Sequence, residues 1–324
     1  MCGIAGVVEA EGAPSRELLE RMGQAITHRG PDDGRVEVFG RAGFSFRRLS
    51  IIDVAGGAQP IANETGRIQV MANGEIYNYL DLRRELEGLG HHFKTHSDVE
   101  TIVHGFEQWG DDVPKHLHGM FAFAIWDEDR QRLLLGRDRL GKKPLAYAES
   151  QGRITFGSEF SAVLADPRVS RDVDRRAIHD YLTYQYVPAP ASGFKAIRKL
   201  PPAHVLVFEG GKAKVSRYWQ PNCGPRLDLT MEDAVNETER RLKEAVRKRL
   251  MSEVPLGAFL SGGVDSSLIV ALMSEFTKVK TFSIGFEESG FNELPHARAV
   301  AERYATDHHE FVVKSNAAEV LPKL

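Results

Sequence analysis

The stretch that most restricts the fold lies late in the chain. A strand pattern, Leu256-Gly257-Ala258-Phe259-Leu260, reads as buried and runs into the loop Ser261-Gly262-Gly263-Val264-Asp265-Ser266-Ser267, then into the apolar helix Leu268-Ile269-Val270-Ala271-Leu272-Met273. A second strand, Thr281-Phe282-Ser283-Ile284-Gly285, is expected beside the first in a parallel sheet, whose carboxyl edge is where α/β domains bind ligands. Loop N–H groups and the helix dipole converge on an anion in such a loop. The hydroxyls of Ser261, Ser266 and Ser267 suit phosphate oxygens and Asp265 suits a magnesium ion, whereas a structural turn would use the glycines without the clustered Ser and Asp. The lysine-containing loop G-x-x-x-x-G-K-[ST] is absent, which excludes that class of nucleotide site. Helix is expected over 292–304 and strand over 310–313. Only about three strands are then visible where open sheets usually have about four to six, so this domain reads as incomplete. Adjacent His308 and His309 would point to opposite faces of an extended segment and so would not share a metal.

The first 219 residues follow a different pattern. A strand at Ile4-Ala5-Gly6-Val7-Val8 precedes a helix capped by Ser15, with Leu18, Leu19, Met22 and Ile26 inward. His28-Arg29-Gly30-Pro31-Asp32-Asp33 reads as a helix stop and turn. Helices also follow from Leu82, Leu86 and Leu89, and from Ile102, Val103 and Phe106, the latter opened by a Ser97/Glu100 capping box. Strands at 120–126, 133–135, 145–147 and 154–156 follow, then a hairpin over 205–215 turning at Gly210-Gly211. Strands around a helix pair predict an α+β domain with antiparallel sheets under helices. The polar segment 220–230 is the expected linker, and Thr230 with Asp233 caps a helix whose Val235, Leu242, Val246 and Leu250 face inward.

Cys2 has two readings. Once Met1 is removed, its thiol and free α-amine lie within one side chain's reach, and with pKa values of about 8.5 and 7.7 to 8.0 one residue can be both nucleophile and base. Otherwise it is a small residue opening a buried strand. Asn73-Gly74, at the end of the strand Ile68-Gln69-Val70-Met71-Ala72, is either a hairpin turn or a pair of donors fit for an oxyanion hole. Asp98 stands in a first helical turn without an assigned partner, and a ligand's ammonium group would serve.

Composition narrows the classes. Lys plus Arg total 42 against 45 acids, a net charge of -3, which offers no electrostatic capture of nucleic acid or an anionic membrane. No basic leader precedes an apolar core, and no apolar run approaches the roughly 20 residues that span a bilayer, so a cytoplasmic protein is expected. The two cysteines, Cys2 and Cys223, are far apart and support neither a disulfide framework nor a zinc site.

Taken together, the blocks Met1-Cys2-Gly3-Ile4-Ala5-Gly6, His28-Arg29-Gly30-Pro31-Asp32, Arg48-Leu49-Ser50-Ile51-Ile52-Asp53, Asn73-Gly74-Glu75-Ile76-Tyr77-Asn78, Ser97-Asp98 and Ser261-Gly262-Gly263-Val264-Asp265-Ser266-Ser267 resemble the glutamine-hydrolysing asparagine synthetases. The resemblance implies an N-terminal-nucleophile αββα sandwich over 1–219, the linker 220–230, and over 231–324 the front of an α/β ATP-pyrophosphatase domain, incomplete because the family's later acceptor-site residues would lie beyond Leu324. It implies Cys2 as nucleophile and Asn73 with Gly74 as oxyanion hole. Arg48, with backbone from Ile51 and Ile52, would hold the α-carboxylate of L-glutamine, and Glu75 and Asp98 its α-amine. Ser261, Gly262, Gly263, Asp265 and Ser266 would hold the pyrophosphate of ATP, with Mg2+ on Asp265, and Phe259 or Leu260 and Ile284 would lie at the adenine. Ammonia released from glutamine would pass to an acyl-adenylate, with L-aspartate the expected carboxylate. Homodimers occur in the family. A related amidotransferase acting on another carboxylate, such as a carbohydrate or cell-surface precursor, is the rival enzyme, and a glutaminase alone or a non-catalytic glutamine or nucleotide binder the further alternative.

Overall fold

Apolar residues on successive strands of the first 223 residues point alternately to two different cores, and that alternation sets the layering. The computed structural model describes residues 1–224, 228–287, 290 and 292–313. The chain divides into two units, Met1–Cys223 and Gly224–Leu324, and residues 225–227 of the expected linker lie outside the described residues.

The first unit runs β1 (Gly3–Val8), α1 (Arg16–Gln24), β2 (Asp33–Phe39), β3 (Ala42–Arg48), β4 (Ile61–Ala62), β5 (Ile68–Ile76), α2 (Tyr79–Gly88), α3 (Glu100–Trp109), α4 (Val113–His116), β6 (Gly119–Asp127), β7 (Arg132–Arg137), β8 (Ala146–Ser150), β9 (Arg153–Gly157), α5 (Phe160–Leu164), α6 (Arg175–Tyr184), β10 (Arg198–Lys199), β11 (His204–Glu209) and β12 (Lys212–Arg217). One antiparallel sheet has the order β10-β8-β9-β1-β3-β2, the other β12-β11-β7-β6-β5-β4. Ile4, Val8, Phe44, Phe46 and Phe156 of the first sheet meet Met71, Ala122, Ala124, Trp126 and Leu135 of the second in the central core. The intervening residues face outward to helices. Ala5 and Val7 pack on Leu18, Leu19 and Met22 of α1 and Ala162 of α5. Val70, Ala72, Phe121, Phe123 and Ile125 pack on Leu82 of α2 and Ile102, Val103 and Phe106 of α3. The result is the four-layer αββα sandwich.

Two local expectations are corrected, and one open choice is decided. Ser15 stands at the N-cap of α1 but makes no side-chain capping bond. No Ser97/Glu100 capping box forms, because α3 begins only at Glu100, whose fully buried carboxylate turns back to accept from the backbone N–H groups of Lys94 and Thr95 at 2.7 and 2.8 Å. Tertiary burial of the acid overrides the local motif. Asn73-Gly74 is not a hairpin turn but the interior of β5, paired with Ala122 and Phe121 of β6.

In the second unit, α7 (Met231–Arg249) is capped by Thr230, whose Oγ accepts from Asp233 N–H at 3.1 Å. β13 (Gly257–Phe259), α8 (Val264–Ser274), β14 (Lys280–Phe286), α9 (Leu294–Arg303) and β15 (Asp307–Val313) follow, and the three strands form the expected parallel sheet in the order β13-β14-β15. Val246 and, in part, Leu242 and Leu250 pack against Leu272 and Met273 of α8. Val235 does not join them and is 55% exposed, on a groove that it lines with Leu268 and Leu272 of α8. The segment expected as a fully buried strand is an edge strand with Phe259 83% exposed, its face being uncovered among the described residues. His308 and His309 diverge as expected: the first meets Thr281 Oγ1 through Nδ1 at 2.8 Å, the second stacks on Phe282.

Candidate active site

The register of the first sheet decides what stands beside Cys2. β1 and β3 are antiparallel with Gly3 opposite Arg47, so the residue before β1 falls against the end of β3. Leu49 N–H approaches Cys2 Sγ at 3.4 Å, and Sγ faces the Leu49 carbonyl at 3.6 Å. The segment after α1, read from sequence as a plain turn, has a positioning task. Arg29 donates through Nε to the Cys2 carbonyl at 3.1 Å and through Nη1 to Glu159 at 2.8 Å. Asn73, with its amide oriented to satisfy both neighbours, donates to the same Cys2 carbonyl and accepts from Arg29 Nη2, each at 3.1 Å.

Arg48 is buried, and its guanidinium donates to the carbonyls of Val54 at 3.1 Å and Asp53 at 2.6 Å. The loop after β3 is thereby wrapped around its own arginine. Asp53, at φ 49°, completes the wrap by accepting from Gly56 N–H and His96 N–H, both at 2.9 Å. The second of those bonds ties the Arg48 loop to the segment carrying Asp98. Asp98 is itself held by Ile76 N–H, which donates to Oδ2 at 2.7 Å.

These elements line one small pocket, open at its mouth. Cys2, Arg48, Ile51, Ile52, Asn73, Gly74, Glu75 and Asp98 all line it, so every residue named from sequence for the glutamine site stands on the same wall set. Gln59 and Lys143 also line it and carry no sequence signal for doing so. Gln59 is buried and its Oε1 accepts from Ala72 N–H at 2.6 Å. Lys143 sits in a loop folded onto Asp138, which accepts from the N–H groups of Lys142 and Lys143 at 2.9 and 3.0 Å.

Burial dominates the electrostatics. It pushes the Cys2 thiol up, against the lowering effects of the Leu49 backbone, the chain-terminal amine and Arg48. It pushes the terminal amine of Met1 down. It raises the Asp98 carboxyl to about 7, and neighbouring Glu75 adds to the rise. Glu75 is also raised by burial, against the pull of Lys143, whose own ammonium is lowered by burial. The pocket thus holds a thiol, an amine and two carboxyls, all shifted toward their neutral forms.

Gly74 is required where β5 crosses β6. A Cβ there would fall 2.1 Å from the Met120 carbonyl oxygen and 2.7 Å from Phe121 Cα, both backbone atoms. Gly74→Ala is expected to cost about 3 kcal/mol of stability, since only separation of the two strands makes room. Urea midpoints of the two proteins measure this, and an unchanged midpoint would show that the strands part freely.

In the second unit, Gly263 caps α8 and Asp265 is exposed in its first turn. Ser261 Oγ and Ser266 Oγ are 2.9 Å apart, and Gly263 N–H donates to Ser261 Oγ at 3.2 Å. Gly262, at φ 82°, backs onto α9, where a Cβ would meet the His296 backbone at 2.5 Å. Phe259, Asp265 and Ser266 line one groove with Ala258 and Ile269. Ile284 is exposed on β14, whereas the Leu260 side chain is buried with Val270, Ala297 and Ala301. Phe259 and Leu260 therefore do not share a surface.

Residues 1–219 match the glutamine amidotransferase domain family and residues 237–324 the asparagine synthase family. Over 97% of its length the chain is 36% identical to the asparagine synthetase [glutamine-hydrolyzing] 3 of Bacillus subtilis (strain 168), covering 54% of that protein. It is 35% identical over all of its length to asparagine synthetase [glutamine-hydrolyzing] 1 of the same organism, covering 52% of it. A putative asparagine synthetase [glutamine-hydrolyzing] 2 of Methanocaldococcus jannaschii is 34% identical over 99% of the chain, with 66% of that protein covered. The chain spans about half the length of the Bacillus relatives it matches. A solved structure of the allosteric regulatory enzyme of purine biosynthesis shares the fold at a TM-score of 0.52 and 14% identity, with 96% of this chain and 80% of that one covered. The chain belongs to the glutamine amidotransferase domain family, joined to an asparagine synthase segment as in the glutamine-hydrolysing asparagine synthetases.

Proposed function

We propose that residues 1–219 hydrolyse L-glutamine at Cys2 and that the ammonia is used, through a synthetase site begun in 231–324 beyond a linker at 220–230, to convert L-aspartate to asparagine with ATP. The observation that carries this reading is the convergence of Cys2, Arg48, Asn73, Gly74, Glu75 and Asp98 on one pocket. A free amino acid needs a cation for its carboxylate and an anion for its ammonium at fixed separation. Arg48, locked by two backbone carbonyls, supplies the first, with the Ile51 and Ile52 backbone alongside. Asp98 and Glu75 supply the second.

Removal of Met1 leaves the α-amine on Cys2 itself. The neutral amine takes the thiol proton, and the thiolate attacks the side-chain amide carbon. Asn73 Nδ2–H and Gly74 N–H stabilise the oxyanion. The amine returns the proton to the departing ammonia, leaving a γ-glutamyl thioester that water hydrolyses to glutamate. Burial favours the neutral forms of the thiol and of the chain-terminal amine, so the resting pocket keeps the thiol protonated, and the Leu49 backbone N–H, the amine and Arg48 are the groups that favour the thiolate.

ATP is assigned to the loop at the start of α8. Ser261, Gly262, Gly263 and Ser266 would meet its phosphate oxygens and Asp265 would hold Mg2+, for which an exposed carboxylate beside hydroxyls is a suitable oxygen donor set. Bound there, magnesium would neutralise phosphate charge. Phe259 and Ile284 offer exposed apolar surface for the adenine, and Leu260 would contribute backbone only.

The protein is assayed with glutamine carrying 15N in its side-chain amide, with aspartate and ATP. Expected are glutamate, pyrophosphate, AMP and 15N-asparagine. Glutamate without labelled asparagine would overturn the acceptor, and no glutamate would overturn the whole reading.

The pH dependence follows from Asp98. Its carboxyl, raised to about 7 by burial and by Glu75, must be ionised to hold the ammonium, so kcat/KM for glutamine falls as pH drops below that value. The amine of Cys2 titrates in the same direction. Asp98→Asn separates them: kcat/KM falls and its Asp98 limb disappears, while an unchanged acid limb would assign the titration to the amine alone.

A further inference from the structure

On the helical side of the second sheet, two histidines and two glutamates from three segments face one another: Glu64 in the turn between β4 and β5, His91 just after α2, and His104 and Glu107 on α3. None belongs to the pocket of Cys2. We propose that Glu64, His91, His104 and Glu107 form a structural site for one zinc ion.

Geometry is the first support. Zinc bound at about 2.0 to 2.2 Å by four protein ligands requires donor atoms roughly 3.4 Å apart at the corners of a tetrahedron. His104 Nδ1 lies 3.2 Å from Glu107 Oε2 and 3.4 Å from Glu64 Oε2, and His91 Nδ1 lies 3.7 Å from Glu107 Oε2. One donor atom from each residue can be chosen with all four within 4.8 Å of one another. His104 and Glu107, at i and i+3, present their side chains on the same face of α3.

The surrounding bonds are the second support. Metal-binding histidines characteristically give their other ring nitrogen to a carboxylate, and ligating carboxylates are themselves held. His104 Nε2 points to the side of the fully buried Glu100, 3.6 Å away and without a hydrogen bond, while Nδ1 points to the carboxylates of Glu64 and Glu107. Asn63 Nδ2 donates to Glu107 Oε1 at 2.7 Å, which leaves Oε2. His92 N–H donates to Glu64 Oε1 at 2.8 Å, which again leaves Oε2. The anchored atoms are thus the outer ones, and the inner ones converge.

Charge and access agree. Two carboxylates and two neutral imidazoles balance a divalent cation, and imidazole selects zinc over magnesium or calcium. Lys94, the nearby ammonium, donates instead to the Asn63 carbonyl at 3.2 Å. The His104 side chain is 1% exposed, while those of His91, Glu107 and Glu64 are 15%, 22% and 28% exposed, so the ion has an entry side and a closed side. Bound zinc would clamp the segment after α2 and the β4–β5 turn to α3.

The full chain, stripped with EDTA and dialysed, is titrated with zinc chloride and its metal content measured. The expected results are one zinc per chain, a rise in Tm on zinc addition, and with Co2+ in its place the intense visible bands of a tetrahedral site. His91→Gln, at a partly exposed position, is expected to keep the circular dichroism of the parent and to weaken zinc binding at least about tenfold. Absence of saturable zinc binding would leave these residues a bare ion-pair network and overturn the proposal. So would binding that His91→Gln leaves unchanged, which would mark the ion as adventitious.

Discussion

Cys2→Ala, in protein freed of Met1, lowers the glutaminase rate by about 10⁴-fold or more and leaves glutamine binding intact. The strand register sets residue 2 against the end of β3 and brings the thiol within 3.4 Å of the Leu49 N–H. No other cysteine lines the pocket, so no second thiol can take over the attack. The groups assigned to the amino acid ends, Arg48, Asp98 and Glu75, come from other segments and do not depend on the sulfur. Binding and chemistry should therefore separate, with calorimetry reporting unchanged affinity where steady-state kinetics report the loss. Equal loss of affinity would mean that the thiol shapes the pocket rather than reacting in it.

Asn73→Ala is expected to lower kcat by about 10²- to 10³-fold with KM little changed. An oxyanion donor acts on charge that exists only in the transition state, so its removal leaves ground-state binding alone. Asn73 is well placed for this: it is buried in β5, paired with Ala122, and its amide is held between the Cys2 carbonyl and Arg29. Asn73→Asp is the informative companion. It keeps shape but replaces a donor with an acceptor beside a developing negative charge, and should be at least as impaired. A rise in KM at constant kcat would instead assign Asn73 to substrate binding.

The strands β6 and β7 were legible as apolar runs, whereas the four layers followed from the family resemblance; in β6, Phe121, Phe123 and Ile125 face one core and Ala122, Ala124 and Trp126 the other. The parallel sheet of the second unit was legible for the same reason that its loop was: strand, glycines and helix follow one another without interruption. What failed was local motif reading where tertiary burial intervenes. Ser97 and Glu100 have capping-box spacing, but Glu100 turns back onto the 94–95 backbone. For Asn73-Gly74 the residues alone left turn and donor pair open, and pairing with β6 excludes the turn.

The pocket residues were legible as members of sequence blocks, but their convergence was not, because it depends on registers joining residues about 45 apart or more. Lys143 and Gln59 were illegible altogether, since nothing in a polar loop announces which side chain will be buried. The histidine and glutamate cluster escaped because its four members come from three segments without metal-ligand spacing.

The most direct test is to mix the Met1-processed protein with glutamine, quench rapidly and measure intact and peptide masses. A single γ-glutamyl adduct on the N-terminal peptide, absent from Cys2→Ala, is the predicted result. Glutamate released with no adduct at any time, or an adduct on another residue, would contradict the assignment of Cys2 as the nucleophile.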